Sequence, residues 1–218
     1  MMKTADLFDL RRSAAEKYLE GFLYPWEALP GIKDMIQGLG KNLGEEYIQR
    51  EPQIWVHKTA KIAPTAFLEG PCIIGANSEV RHCAFIRGSV LVGENCVVGN
   101  SVEVKNAILF DGVQVPHFNY VGDSILGYKA HMGAGAVTSN VKSDRTLVAV
   151  KNGGQRTETG LKKFGAMLGD FAEVGCNAVL NPGTVVGKNS RIYPGSCVRG
   201  VVPENSIWKT GGVMVKKE

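Results

Sequence analysis

Every sixth residue of this chain is aliphatic over two long tracts, and that period excludes most ways of folding it. Steps of six from Val56 reach Ile62, Leu68, Ile74, Val80, Ile86, Val92, Val98 and Val104 without a break. A second tract reads Leu168, Val174, Leu180, Val186, Ile192 and Val198. The next residue is often glycine, as at Gly75, Gly93, Gly99, Gly169, Gly175 and Gly187. Neither a helical period of 3.6 nor simple strand alternation accounts for this pattern. A triangular solenoid does. Each side is one short strand and a turn, three sides make an 18-residue coil, and the aliphatics point inward. Successive coils then stack as parallel strands about 4.8 Å apart. The 27 glycines and the low aromatic share of 8% suit such a close-stacked interior.

The flanks have a different texture. Residues 1–50 read as a helical segment. Leu7, Leu10, Ala14, Tyr18 and Phe22 recur every three or four positions from Thr4, a plausible N-cap, and a second, glycine-weakened helix is expected in IKDMIQGLGKNL. The solenoid is expected over 51–212, with an inserted loop at about 141–165, followed by a basic tail at 213–218. Net charge is a mild +4 without a basic arm, which argues against nucleic acid as partner. Cys72, Cys83, Cys96, Cys176 and Cys197 form no C-x-x-C pair and are odd in number, so free thiols in a reducing compartment are expected. The charged start lacks the apolar stretch of a signal peptide, and no apolar run is long enough to suggest a membrane span. A cytoplasmic protein is the expectation.

Function is sought where the repeat breaks. Phe110 keeps the register, Val115 comes one residue early, Val121 restores six, and Leu126 is early again, followed by Met132 and Thr138. A coil of 18 stacks Glu69, Arg87 and Lys105 on one side, either as a solvated charge ladder or as a two-cation clamp for a phosphate. His117 lies in the slipped region with Tyr120 nearby. Gly133 and Gly135 flank Ala134, where an extended ligand can approach the backbone, although close packing at a corner explains them equally well.

The [Leu/Ile/Val]-Gly-x-x-x-x hexapeptide resembles that of left-handed β-helix proteins. On that resemblance the expected fold is mainly β, a left-handed parallel β-helix with an N-terminal pair of short helices. FIRG around Arg87, VGNSVEVKNA around Lys105, PHFNYVGDSILG around His117 and Tyr120, and HMGAGAVTSN up to Asn140 add to it. In order and spacing they resemble the C-terminal acetyltransferase domain of bifunctional N-acetylglucosamine-1-phosphate uridyltransferase/glucosamine-1-phosphate acetyltransferases. The match is close from about residue 85 to 140 and looser to about 195. The resemblance implies an acyl-CoA-dependent enzyme, with acetyl-CoA as donor and a sugar phosphate or nucleotide sugar as acceptor, working as a homotrimer. It implies that Arg87, Lys105 and Tyr120 hold the sugar phosphate, that His117 is the general base, and that Asn140 positions the amine. Ala134, through its backbone, and Cys176 would contact the thioester. His131 stands where the family has an asparagine touching the sugar, so a different acceptor is possible.

Attack of an amine on a thioester requires a base that titrates near neutrality and donors for the oxyanion, and it requires no metal. The uridyltransferase half has no counterpart in residues 1–50, so no nucleotidyl transfer is expected. Two other readings compete. A metal-dependent hydratase would need three of His57, His82, His117 and His131 to converge. A non-catalytic scaffold or regulatory partner of a sugar nucleotidyltransferase would have no need for the Arg87, Lys105, His117, Tyr120 and Asn140 set.

Overall fold

The computed structural model describes residues 1–217. It is the expected solenoid, a mainly β chain whose short parallel strands stack coil upon coil. Three faces alternate along the chain. Ile54–His57, Cys72–Ile74 and Val90–Val92 begin the first face, Lys61–Ile62, Glu79–Val80 and Val97–Asn100 the second, and Phe67–Glu69 and Phe85–Arg87 the third. Ile54 pairs with Cys72 and Ile73 with Leu91, an offset of 18. All the period-six aliphatics are buried except Ile62 and Leu68, which are partly covered in the first coil.

Corners are held by backbone geometry. Asn77, Asn95, Asn177, Asn189 and Asn205 take φ between 52 and 57°, a left-handed conformation that asparagine tolerates better than most side chains. In that conformation the N–H points along the stack. Asn95 N–H donates to Ala76 O at 2.8 Å, and Asn177 N–H donates to Ala134 O at 2.8 Å.

The coil shortens by one residue, and it does so earlier than the aliphatic spacing suggests. Val104 still pairs with Ile86 at an offset of 18, but Ala107 pairs with Val90 and Leu109 with Val92 at 17. Leu109, not Phe110, therefore continues the inner column. Phe110 turns to the next corner, where its ring lies 5.1 Å from that of Phe8. The offset of 17 persists through Glu103–Tyr120, Gln114–His131 and Tyr120–Val137.

The N-terminal segment is less regular than its spacing predicts. The expected helix from Thr4 is three pieces, Thr4–Leu7, a 3-10 turn at Leu10–Arg12, and Glu16–Leu19, with extended Phe8 and Ser13 between them. Thr4 is the first helical residue, and its hydroxyl donates to Phe22 O at 2.8 Å. Docking explains the breaks. Asp9 N–H donates to the buried Asp170 carboxylate at 2.7 Å, and Asp170 N–H donates to Leu7 O at 3.0 Å. Those bonds to the solenoid outweigh local helix continuation. The second helix, Ile32–Gly40, packs on the first face. It ends where a Cβ on Gly40 would sit 2.5 Å from the Trp55 ring.

Both ends of the stack are closed by antiparallel strands, Tyr47–Glu51 on Ile54–His57 and Met214–Lys216 on Ser206–Trp208. The basic tail thus contributes a capping strand. No helix among the described residues is long and apolar enough to cross a membrane.

Two glycines give opposite expectations. A Cβ on Gly99 would lie 1.6 Å from Pro116 O, whereas one on Gly38 meets nothing within 4 Å. Gly99→Ala is expected to destabilise the protein by about 3 kcal/mol, through overpacking against backbone. Gly38→Ala should stabilise it by about 0.5–1 kcal/mol. Urea unfolding of both variants measures the difference.

Candidate active site

The corner between the second and third faces carries His117, Ala134 and Cys176 on successive coils. Gly135 N–H donates to His117 O at 3.0 Å, and Asn177 N–H to Ala134 O at 2.8 Å, so the three residues form one column. His117 is exposed at the end of Gln114–His117, and Cys176 is exposed too. Gly133 is required at this corner, because a Cβ there would lie 2.7 Å from Cys176 N. The N–H groups of Ala134 and Cys176 donate to no acceptor among the described residues. They are the backbone donors that an extended ligand or an oxyanion would use.

Asn119 organises this corner. It is buried, accepts from His117 N–H at 3.1 Å, and donates its amide protons to Gly133 O at 2.8 Å and Ala136 O at 3.0 Å. One side chain thereby ties the His117 backbone to the glycine-rich turn of the next coil. No periodicity in the sequence marks this residue.

On the third face, Glu69 pairs with Arg87, and Lys105 follows in the same register one coil on. The expected stack is present, but neither cation stands free. Arg87 Nη1 is paired with Glu103, and Lys105 Nζ lies 3.6 Å from Asp123 Oδ2. An incoming phosphate must compete with both carboxylates.

Asp123 is the centre of a polar cluster that the sequence reading missed. It is 4% exposed and accepts from Asn106 Nδ2 at 2.9 Å and Asn140 Nδ2 at 2.5 Å, beside Lys105. The signal was present, since the step of 18 through Glu69, Arg87 and Lys105 lands next on Asp123. Asn140 Nδ2 also donates to the Tyr120 hydroxyl at 3.1 Å. With its amide protons directed to Asp123 and Tyr120, Asn140 keeps Oδ1 as the atom for a ligand, an acceptor for an amine or a hydroxyl. Tyr120 reaches Asn140 by lying across Gly122, where a Cβ would meet the phenol oxygen at 2.4 Å. Burial pushes the Tyr120 phenol up, which keeps it a neutral donor.

His131 is placed differently. Its backbone pairs with Gln114 and Glu173 on the second face, at the far end of the strands from the His117 corner. Within this chain it does not join Arg87, Lys105, Tyr120 and Asn140. The histidines do not gather either, and no group of three His, Cys, Asp or Glu among the described residues could hold a metal ion.

Asp123→Ala would leave Lys105 partly buried without its partner and should destabilise the protein by about 3 kcal/mol. Glu103→Ala, at the exposed pair, should leave the unfolding midpoint nearly unchanged. Thiol labelling gives a second check. Burial pushes Cys72 and Cys96 up to about 12, while Cys83, Cys176 and Cys197 are exposed. Brief alkylation of the native protein should modify those three and spare the two buried thiols, as read by peptide mass spectrometry.

The family described as GMPPB C-terminal domain matches residues 68–152. A bifunctional sugar-1-phosphate nucleotidylyltransferase/acetyltransferase of Sulfurisphaera tokodaii is 37% identical over 111 residues, covering 51% of this chain and 28% of that protein. The bifunctional protein GlmU of Staphylococcus epidermidis is 31% identical over 163 residues, covering 75% of this chain and 32% of its own length. Among solved structures, an Arabidopsis UDP-N-acetylglucosamine acyltransferase is similar with a TM-score of 0.41 and 13% identity, covering 72% of this chain and 69% of that one. The chain is thus a hexapeptide-repeat β-helix that resembles bifunctional nucleotidylyltransferase/acetyltransferases in their C-terminal region, and it spans about three tenths of the length of the relatives it matches.

Proposed function

We propose that this chain transfers an acyl group from acetyl-CoA to an amino-sugar phosphate or a related sugar, and that it works as a cytoplasmic homotrimer. The observation that carries the reading is the Asp123-centred cluster. It orients Asn140 and Tyr120 beside Lys105 at one end of the third face, and the other end of that face is the corner that presents His117 and two backbone N–H groups. A protein named as a bifunctional nucleotidylyltransferase/acetyltransferase is similar to this chain over 111 residues, 51% of this chain's length, which supports the reading.

In this reading Arg87 and Lys105 exchange Glu103 and Asp123 for the acceptor's phosphate. Arg87 offers a fork of donors and Lys105 a point charge. Asn140 Oδ1 accepts from the reacting amine and so aims its lone pair. His117 takes one proton from the amine as nitrogen attacks the thioester carbonyl. The carbonyl oxygen gains the negative charge, and the Ala134 or Cys176 N–H is the donor suited to it. Collapse of the tetrahedral intermediate breaks the carbon–sulfur bond, and the thiolate receives the proton from His117. His131 lies outside this cluster within one protomer, so a part for it in recognition requires contact across a subunit boundary.

Release of free thiol from acetyl-CoA, measured with amino-sugar phosphates and nucleotide sugars in turn, tests the proposal. The expected result is turnover with a phosphorylated amino sugar, reduced at least about 100-fold by His117→Ala. Arg87→Ala should chiefly raise KM for the acceptor. Absence of turnover with every acceptor, together with absence of acetyl-CoA binding, would overturn the reading.

A further inference from the structure

The segment inserted after Asn140 is a built element. Ala149–Asn152 and Gln155–Glu158 form an antiparallel hairpin, and Val148, Val150 and Phe164 are fully buried. The hairpin backbone is pressed against the solenoid, since a Cβ on Gly200 would lie 2.6 Å from Lys151 O. Between hairpin and solenoid is a cleft of about 230 Å³, lined by Lys142, Asp144, Lys151, Arg156 and Arg199.

Four cations from three separate stretches of chain thus converge on one small space. Lys142 is 3.3 Å from Asp144, and Arg156 pairs with Glu158. Lys151 and Arg199 have no carboxylate partner within 4.0 Å among the described residues, and Arg199 Nη2 only donates to Asn181 Oδ1 at 3.3 Å. Lys151 and Arg156 also face each other directly across the hairpin. Like charges in that position destabilise a strand pair, and an anion between them reverses the sign of the interaction.

We propose that this cleft binds a diphosphate group of a nucleotide-type ligand. Arg156 and Arg199 supply planar forks for the phosphate oxygens, and Lys151 supplies a point charge. The volume is below that of pockets that enclose whole drug-sized ligands, so it takes the anionic group and leaves the remainder outside. The cleft opens at the corner between the third and first faces, whereas His117 stands at the corner between the second and third. Asn140 and Asp123 share the cleft's corner, but the test reads anion binding alone, so its failure is distinguishable from failure of acyl transfer by His117.

The test is calorimetric titration of the full chain with pyrophosphate, ADP, UDP and coenzyme A at constant ionic strength, with sulfate as the control anion. Pyrophosphate and both nucleoside diphosphates are expected to bind. Lys151→Ala/Arg199→Ala should weaken them at least tenfold, and His117→Ala should not change them. Coenzyme A binding more tightly than ADP, and also lost in the double variant, would assign the group to the acyl donor. UDP binding more tightly than both would assign it to a sugar nucleotide. Lys151→Glu guards against a folding artefact. It replaces a repulsive cross-strand pair with an attractive one, so the variant should melt at a higher temperature than the wild type while losing pyrophosphate binding. Equal binding of sulfate and pyrophosphate, or unchanged pyrophosphate binding in the double variant, would overturn the proposal.

Discussion

The register between neighbouring coils is the constraint on which the remaining structure depends. Parallel strands with inward aliphatics leave each coil one alignment on the next, because a one-residue slip would turn Val, Ile and Leu outward. Outward side chains inherit that alignment. Charges and ring systems from residues 17 or 18 apart become neighbours without any loop being shaped to bring them together. Glu69 beside Arg87 and His117 above Ala134 are consequences of core packing.

The shortened coil shows how one residue changes the chemistry of a face. At an offset of 18, Val121 would lie opposite Glu103, and Asp123 opposite Lys105. At the observed 17, Tyr120 pairs with Glu103 and Gly122 with Lys105. Val121 stays in the core, Tyr120 stands outside, and Asp123 moves into the corner at a φ of 49°. There it gathers Lys105, Asn106 and Asn140. Gly122, which follows from the same shift, gives the Tyr120 ring its path to Asn140.

The solenoid, its faces and the cation stack were legible in the sequence because period and burial coincide at almost every step. The site was legible only in part. His117, Tyr120 and Asn140 were marked by position and resemblance; Asn119 was not, since its role depends on corner geometry, and Asp123, which the step of 18 from Lys105 reaches, was passed over although the shortened coil carries it into a corner. The slip was located one step late, because Phe110 is as apolar as Leu109 and only strand pairing separates them. The broken N-terminal helix was unreadable for a different reason. Its breaks are set by Asp170, which lies 161 residues beyond Asp9.

That long-range bond also alters how the stack comes apart. Repeat arrays touch only their neighbours, so coils can be lost singly from either end. Here the N-terminal segment runs along the first face from Cys72–Ile74 to Asp170, with Trp26 stacked on Phe164 along the way. It acts as a splint across the coils that carry His117, Tyr120 and Asn140. A coil within its span cannot open without releasing the segment that binds its neighbours, so the middle of this solenoid should fail as one cooperative block while its two ends are free to fray.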